Sequence, residues 1–205
     1  MKIIDNLLSS LNYTYDVKDI RIGPFQTAII THNCGLASTP HYPGPHHNNA
    51  PVNEAGLLLE KDARTLAALA KSSNQMEATI GMATINSLIE VHERYCTETN
   101  AADLLMKNGE GKKVAIVGHF PFVPKLRTVA KELWVIEKNP QEGDLPESEA
   151  ENLIPLADVV GITGTAFINH SIDRLLLLCN SLAYVVVLGG TAPLSPVLFD
   201  YGISA

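Results

Sequence analysis

Four of the seven histidines, His32, His41, His46 and His47, fall within a stretch of 16 residues that also holds Cys34. Imidazole and thiolate are the donors that zinc, nickel and copper select. His32 and Cys34 are two apart, so on a strand they share a face, and the Pro-Gly segment that follows can bring His41 or His46 round to complete three or four ligands. A metal site on His41, His46 and His47 would make the chain a non-enzymatic metal binder. The plainer alternative is that the loop histidines are solvated and the cysteine packs in the core.

A second set of groups follows a series of short apolar runs. Val114 to Val117 leads into Gly118-His119-Phe120-Pro121-Phe122, the position where dinucleotide-binding folds place G-x-G-x-x-G. One glycine of that pattern is kept, and Pro121 offers no N–H, so the cradle of amides that grips a pyrophosphate is incomplete. His119 stands at the mouth of the expected ligand crevice, where an imidazole can serve as acid, base or metal ligand; simple packing is the competing role. Glu137 lies 19 residues after Gly118, the separation at which an acid accepts hydrogen bonds from ribose hydroxyls. A solvated carboxylate, or one paired with Lys138 or Lys131, fits the same position.

Two more rims are small and polar. Thr163-Gly164-Thr165 precedes Asn169, an arrangement that suits a carboxylate or phosphate as well as capping by Asn169 or Ser171. Gly189-Gly190-Thr191 ends the last apolar run and exposes backbone in the same way. Other chemistries find no support. His92-Glu93 is followed at the fourth residue by Cys96, which rules out a zinc-protease helix, and neither G-x-S-x-G nor a Walker loop occurs.

The elements that must position these groups fall into two halves. Ile3, Ile4, Leu7, Leu8 and Leu11 predict an opening amphipathic helix, and Val17 to Ile22, Phe25 to Thr31 and Cys34 to Thr39 predict a small antiparallel sheet. Helices over 62–71 and 77–90 complete an α+β domain, residues 1–107. The glycines of Asn108-Gly109-Glu110-Gly111 mark the boundary. Beyond them the runs at 114–117, 133–136, 159–162 and 184–188 are nearly unbroken, as in parallel strands covered on both faces, with crossover helices expected over 125–132, 147–154 and 169–179. Residues 108–205 therefore read as a doubly wound α/β domain, with ligands expected outside the carboxyl ends of its strands.

Composition narrows the partners. The 46% hydrophobic content supports real cores, and a net charge of −7 argues against nucleic acid or an anionic membrane surface. The longest apolar stretch is 14 residues, too short for a bilayer core of about 30 Å, and no signal-like run opens the chain, so the expected location is cytoplasmic. Three scattered cysteines suit free thiols.

A resemblance adds to this reading. Ile80-Gly81-Met82-Ala83-Thr84-Ile85-Asn86, Val117 to Pro121, Glu137-Lys138-Asn139-Pro140, Ala157 to Thr165 with Asn169, and Gly189 to Leu194 together resemble the succession of motifs in a family of heavy-metal chelation proteins of unknown function. The resemblance covers most of the chain. It implies an enolase N-terminal-like first domain, a Rossmann-like second domain and a site in the cleft between them, where Asn86 faces Gly118, Phe120, Glu137, Thr163 and Asn169. Read without the family, a helical Asn is a cap or an internal hydrogen-bond partner. Family members continue past the motif resembling Phe199-Asp200-Tyr201-Gly202, so the second domain is expected to lack its last elements. The combined expectation is a cytoplasmic protein that binds a small ligand or metal chelate, with binding and catalysis both open and a homo-oligomer allowed. A divalent transition metal and an adenosine-type cofactor are the two candidate cofactors, the latter for an S-adenosylmethionine or nucleotide transferase.

Overall fold

The computed structural model describes residues 1–40 and 52–205, and their contacts divide them into two units. The first comprises Met1–Val91 and two returns of the chain, Gly164–Ser171 and Gly189–Val197. The second comprises His92–Thr163, Ile172–Leu188 and Leu198–Ala205. Among the described residues no helix is long and apolar enough to cross a membrane.

In the first unit, Ile3, Ile4 and Leu7 form the buried stripe of α1 (Lys2–Ser10), as their spacing predicts. Strands β1 (Asp19–Ile22), β2 (Gln26–Ile30) and β3 (Cys34–Ser38) make an antiparallel sheet in that order. Gly23 N–H donates to Gln26 O at 2.9 Å and closes the first turn. Asp62 caps α2 (Ala63–Ala68) by accepting from Thr65 N at 2.6 Å, and the chain continues as a 3-10 turn, Leu69–Lys71. Asn74 caps α3 (Gln75–Leu88), which is buried around most of its circumference because sheet and helices close on it from several sides. Two glycines make that closeness possible. A Cβ on Gly81 would run into the backbone of Ala70, and one on Gly35 would run into the α3 backbone at Ala83 and Ser87. Hydroxyls in this core are satisfied locally; Thr31 Oγ1 donates to Ser87 O at 2.9 Å.

Glu77, in the first turn of α3, is 6% exposed. Its carboxylate accepts from Ser72 Oγ at 2.5 Å and from Asn53 N at 3.0 Å, which pins the segment beginning at Val52 to the start of the helix. These bonds, the Ser72 hydroxyl foremost, hold the Glu77 carboxyl below its ordinary range against the opposing effect of burial.

In the second unit five strands run parallel: β4 (Lys113–Val117), β5 (Glu132–Glu137), β6 (Leu145–Pro146), β7 (Val159–Thr163) and β8 (Tyr184–Leu188). Their order is β6-β5-β4-β7-β8, which counted from β4 is 3-2-1-4-5, the order of a Rossmann-like doubly wound sheet. Helices α4 (Ala101–Gly109), α5 (Val123–Val129) and α6 (Ile172–Leu178) belong to the same unit. Leu105 of α4 and Leu126 of α5 pack with Val114, Ile116, Val159, Val186 and Leu188 in one buried cluster. Ala115, Val160, Ile162 and Val185, alternating with those strand residues, are buried as well, so both faces of the sheet are covered. Ser204 and Ala205 lie along the outer edge of β8, where Ser204 N donates to Val185 O at 2.7 Å and Val187 N to Ala205 O at 2.9 Å.

The crossover helices depart from their expected limits for local reasons. The helix expected over 125–132 starts at Val123, since Pro124 fits a first turn, and ends at Val129 because Glu132 already belongs to β5. That expected over 169–179 begins at Ile172, because His170 adopts a left-handed φ of 61°. That expected over 147–154 is a single α-turn, Ala150–Leu153, between two 3-10 turns, the second of which carries Pro155. The two-residue β6 has no periodicity and was not expected.

Glu77 provides a test of this packing. A carboxyl held below its ordinary value stabilises the fold above that value, and the contribution is lost as pH falls through the folded-state value. Glu77→Gln should cost about 1–2 kcal/mol at neutral pH and make the acid limb of stability less steep. Urea midpoints measured across pH will show it.

Candidate functional site

Parallel strands end on one border of a sheet, so Gly118 after β4, Glu137 at the end of β5 and Thr163 at the end of β7 share the carboxyl-terminal rim. The order reverses between β4 and β7, and Gly118 and Thr163 meet at that switch point. Gly118 has φ 111°, which L side chains rarely adopt, and its N–H donates to Ile136 O at 3.0 Å. A Cβ there would press on Thr163 Cβ at 3.0 Å and on the Phe120 ring at 3.1 Å. Phe120 stacks on Phe122 with ring centroids 5.1 Å apart.

Glu137 ties two turns together. Its Oε1 accepts from His119 N at 3.0 Å and its Oε2 from Lys138 N at 2.8 Å. Both oxygens therefore serve the backbone of the rim, and any ligand hydroxyl must use their remaining lone pairs.

The clamp on its backbone places His119 beside Asp144, a residue that sequence reasoning passed over. His119 Nδ1 lies 3.0 Å from Asp144 Oδ2 and 3.3 Å from Oδ1. The Asp144 side chain is 3% exposed and that of His119 38%. Gln141 N donates to Asp144 Oδ2 at 3.1 Å, and Asp144 N to Gln141 O at 3.0 Å, so a tight turn fixes the carboxylate. An ionised carboxylate only accepts, so in the neutral imidazole this contact places the proton on Nδ1 and leaves the Nε2 lone pair open. The sequence signal for Asp144 was limited to its turn, Gly143-Asp144 before Leu145-Pro146; the pairing with His119 spans 25 residues and has no local signature.

The remaining predicted residues belong to the first unit. Thr191 is buried; its Oγ1 accepts from Ser38 N at 2.9 Å and donates to Ser38 Oγ at 3.1 Å. Asn86 Nδ2 donates to Leu36 O at 2.8 Å and to Thr191 O at 3.2 Å, while its buried Oδ1 has no partner among the described residues. Gly164 packs so closely on Ala192 that a Cβ would lie 2.6 Å from its amide nitrogen. Thr165 opens a one-turn helix, Thr165–Ile168, and Asn169 Oδ1 accepts from Ser171 N at 3.1 Å and from Ser171 Oγ at 2.6 Å. Gly189 has φ 96° with open space at its Cβ position, and a Cβ on Gly190 would lie 3.8 Å from Gln26 Oε1. The structure thus gathers Gly118, His119, Phe120, Glu137 and Thr163 in one unit. Asn86, Gly164 and Thr191 gather in the other.

His41, His46 and His47 lie outside the described residues. His32 stacks on Tyr15 with ring centroids 4.4 Å apart, and Cys34 is exposed at the start of β3. Among the described residues no group of three or more His, Cys, Asp or Glu side chains could hold a metal ion. Cys179 is a poor thiolate donor, since burial pushes its thiol up to about 11.

An α+β unit joined to a parallel sheet in the order 3-2-1-4-5, with a carboxylate-oriented histidine on the sheet's rim, defines the class: a Rossmann-like α/β protein with a small antiparallel companion. Residues 100–205 match the model of the DUF364 family and residues 4–89 that of DUF4213, both described as "Putative heavy-metal chelation". The chain belongs to the DUF364 family, the one its succession of motifs resembles. It is 29% identical over 213 residues to the uncharacterized protein MJ0500 of Methanocaldococcus jannaschii, covering 97% of this chain and 80% of that protein. A DUF364 protein of unknown function from Desulfitobacterium hafniense superposes with a TM-score of 0.86 at 29% identity, over 98% of this chain and 83% of that one. A DUF364 protein of Pyrococcus horikoshii shares the fold, with a TM-score of 0.79 at 19% identity over the same shares.

Two measurements check this geometry. Gly118→Ala should lower stability by about 2–3 kcal/mol, because the substitution meets both an unfavourable φ and the Thr163 and Phe120 side chains; denaturant unfolding reads it. Alkylation near pH 8 should modify the exposed Cys34 and Cys96 about 100-fold faster than Cys179, whose thiolate fraction is depressed in proportion to its raised pKa. Peptide mass analysis over time follows the three sites.

Proposed function

We propose that the carboxyl-terminal rim of the parallel sheet binds a transition metal already wrapped by a small chelator, with His119 Nε2 filling an open coordination position. The observation that carries this reading is the buried Asp144 carboxylate on His119 Nδ1. A ligating imidazole characteristically gives its second nitrogen to a carboxylate or carbonyl, which fixes its tautomer and raises its basicity. The donor count sets the form of the ligand: with no group of three or more His, Cys, Asp or Glu side chains among the described residues, an open imidazole suits a metal that arrives with most of its coordination sphere filled better than a stripped ion. Glu137 contributes by holding the His119 backbone, and Phe120 walls the turn. The family description, heavy-metal chelation, agrees with this reading.

A second reading, an adenosine-type cofactor for a transferase, is favoured by the strand order and by an acid at the end of the second strand. Weighing against it are the amides already bound to both Glu137 oxygens, the single glycine of the β4 turn and Pro121 within it. The third, metal capture by His41, His46 and His47, makes a separate prediction.

Equilibrium dialysis of the full chain with Co2+ and with its citrate complex separates the three. His119→Ala should abolish binding of the complex, and Asp144→Asn should weaken it about 10–100-fold while circular dichroism stays native. Replacing His46 and His47 should leave it unchanged. Loss on replacing His46 and His47, with His119→Ala unaffected, moves the metal to that segment; saturable binding of S-adenosylmethionine without metal favours the transferase.

A further inference from the structure

The first unit carries a depression with chemistry of its own. It has a volume of about 430 Å³ and is lined by Leu11, Asn12, Tyr13, Thr14, Asp62 and Arg64. That is the scale of a small-molecule site. The Arg64 guanidinium carbon stands 4.1 Å from the centroid of the Tyr13 ring. The ring is itself fixed, because Tyr13 Oη donates to Leu8 O at 2.7 Å, near the end of α1. Partial burial raises the phenol above its ordinary pKa against the pull of Arg64, so the plate under the guanidinium stays neutral.

Arg64 sits over the Tyr13 ring and makes no close ion pair, although its charge, after the Thr65 hydrogen bonds, helps hold the Asp62 carboxyl below its ordinary value. Among the described residues no carboxylate lies within the 4.0 Å of an ion pair, and no acceptor takes its N–H groups. Asp62, the acid of the lining, is committed to capping α2 through Thr65 N. Asn12 Oδ1 accepts from Thr14 N at 3.1 Å, which leaves the Asn12 Nδ2 hydrogens directed elsewhere. Apart from the remaining lone pairs of Asp62, the groups still to be matched are donors: the guanidinium fork, the Asn12 amide and the Thr14 hydroxyl. A lining of this kind seeks an anion.

We propose that this depression binds the oxyanion of a small molecule, a carboxylate or a phosphate, through the Arg64 guanidinium held over the Tyr13 ring. Contact with the ring orders the planar fork before any ligand arrives, so less side-chain freedom is lost on binding, and its paired N–H groups match two oxygens of either anion. A lysine at this position would keep the charge and lose both advantages.

The test titrates the 15N-labelled full chain with inorganic phosphate and, separately, with acetate at constant ionic strength, following the Thr14 backbone amide and the Arg64 Nε–H resonance. At least one oxyanion should give a saturable shift that sodium chloride does not, and which of the two saturates assigns the class. R64Q should abolish saturation at Thr14 while the amide spectrum stays dispersed, and R64K should bind about tenfold more weakly or worse. If R64Q fails to fold, the R64K comparison carries the same decision. Shifts that never saturate, shifts matched by chloride, or unchanged affinity in R64K and R64Q would overturn the proposal. Metal is absent from every arm, so the outcome is independent of His119.

Discussion

Parallel pairing of β4 with both β5 and β7 is the constraint on which the site depends. Val114 to Val117 hydrogen-bond on both edges, so the turns leaving all three strands must emerge at one rim of the sheet. No loop chemistry could gather Gly118, Glu137 and Thr163 if one of those strands ran the other way. The continuous apolar runs of the strands follow from the same arrangement, since a sheet covered on both faces has no polar side to show.

At that rim, rigidity is built in layers. The glycine at 118 allows a backbone turn that other residues resist, the Glu137 carboxylate holds the next amide, and a buried aspartate then orients the imidazole. Each layer acts on the one before it, so the open nitrogen of His119 has a defined direction without being buried. In the first unit the small rim residues serve a different end. Thr191 and Asn86 both bind β3, Asn86 also donates to the Thr191 carbonyl, and Gly164 admits Ala192, so these motifs work there as joints.

Much of this was legible in the sequence. The strands of the second unit, the meander of the first and the position of His119 follow from period, turn residues and the runs between them. What escaped depends on distance along the chain. Asp144 meets His119 across a turn that carries no motif, and β6 is two residues of a strand whose partner alone makes it one. Helix limits moved where a single residue intervened: Pro124 favoured an early start, and the left-handed His170 delayed another. The role of Glu137 was visible as an acid at a strand end, but its backbone partners required the folded turn.

The division of the chain has a consequence for synthesis. The first unit begins at the amino terminus, yet its inventory includes Gly164–Ser171 and Gly189–Val197. Ser38 donates its amide to Thr191, 153 positions later, and the Ala70 carbonyl faces the His170 ring 100 positions later. A ribosome that has released the first ninety or so residues has therefore delivered an unfinished body, lacking the hydroxyl and imidazole that close it. The first unit is thus completed only once residues 164–171 and 189–197 have been made, after β7 and β8 of the second.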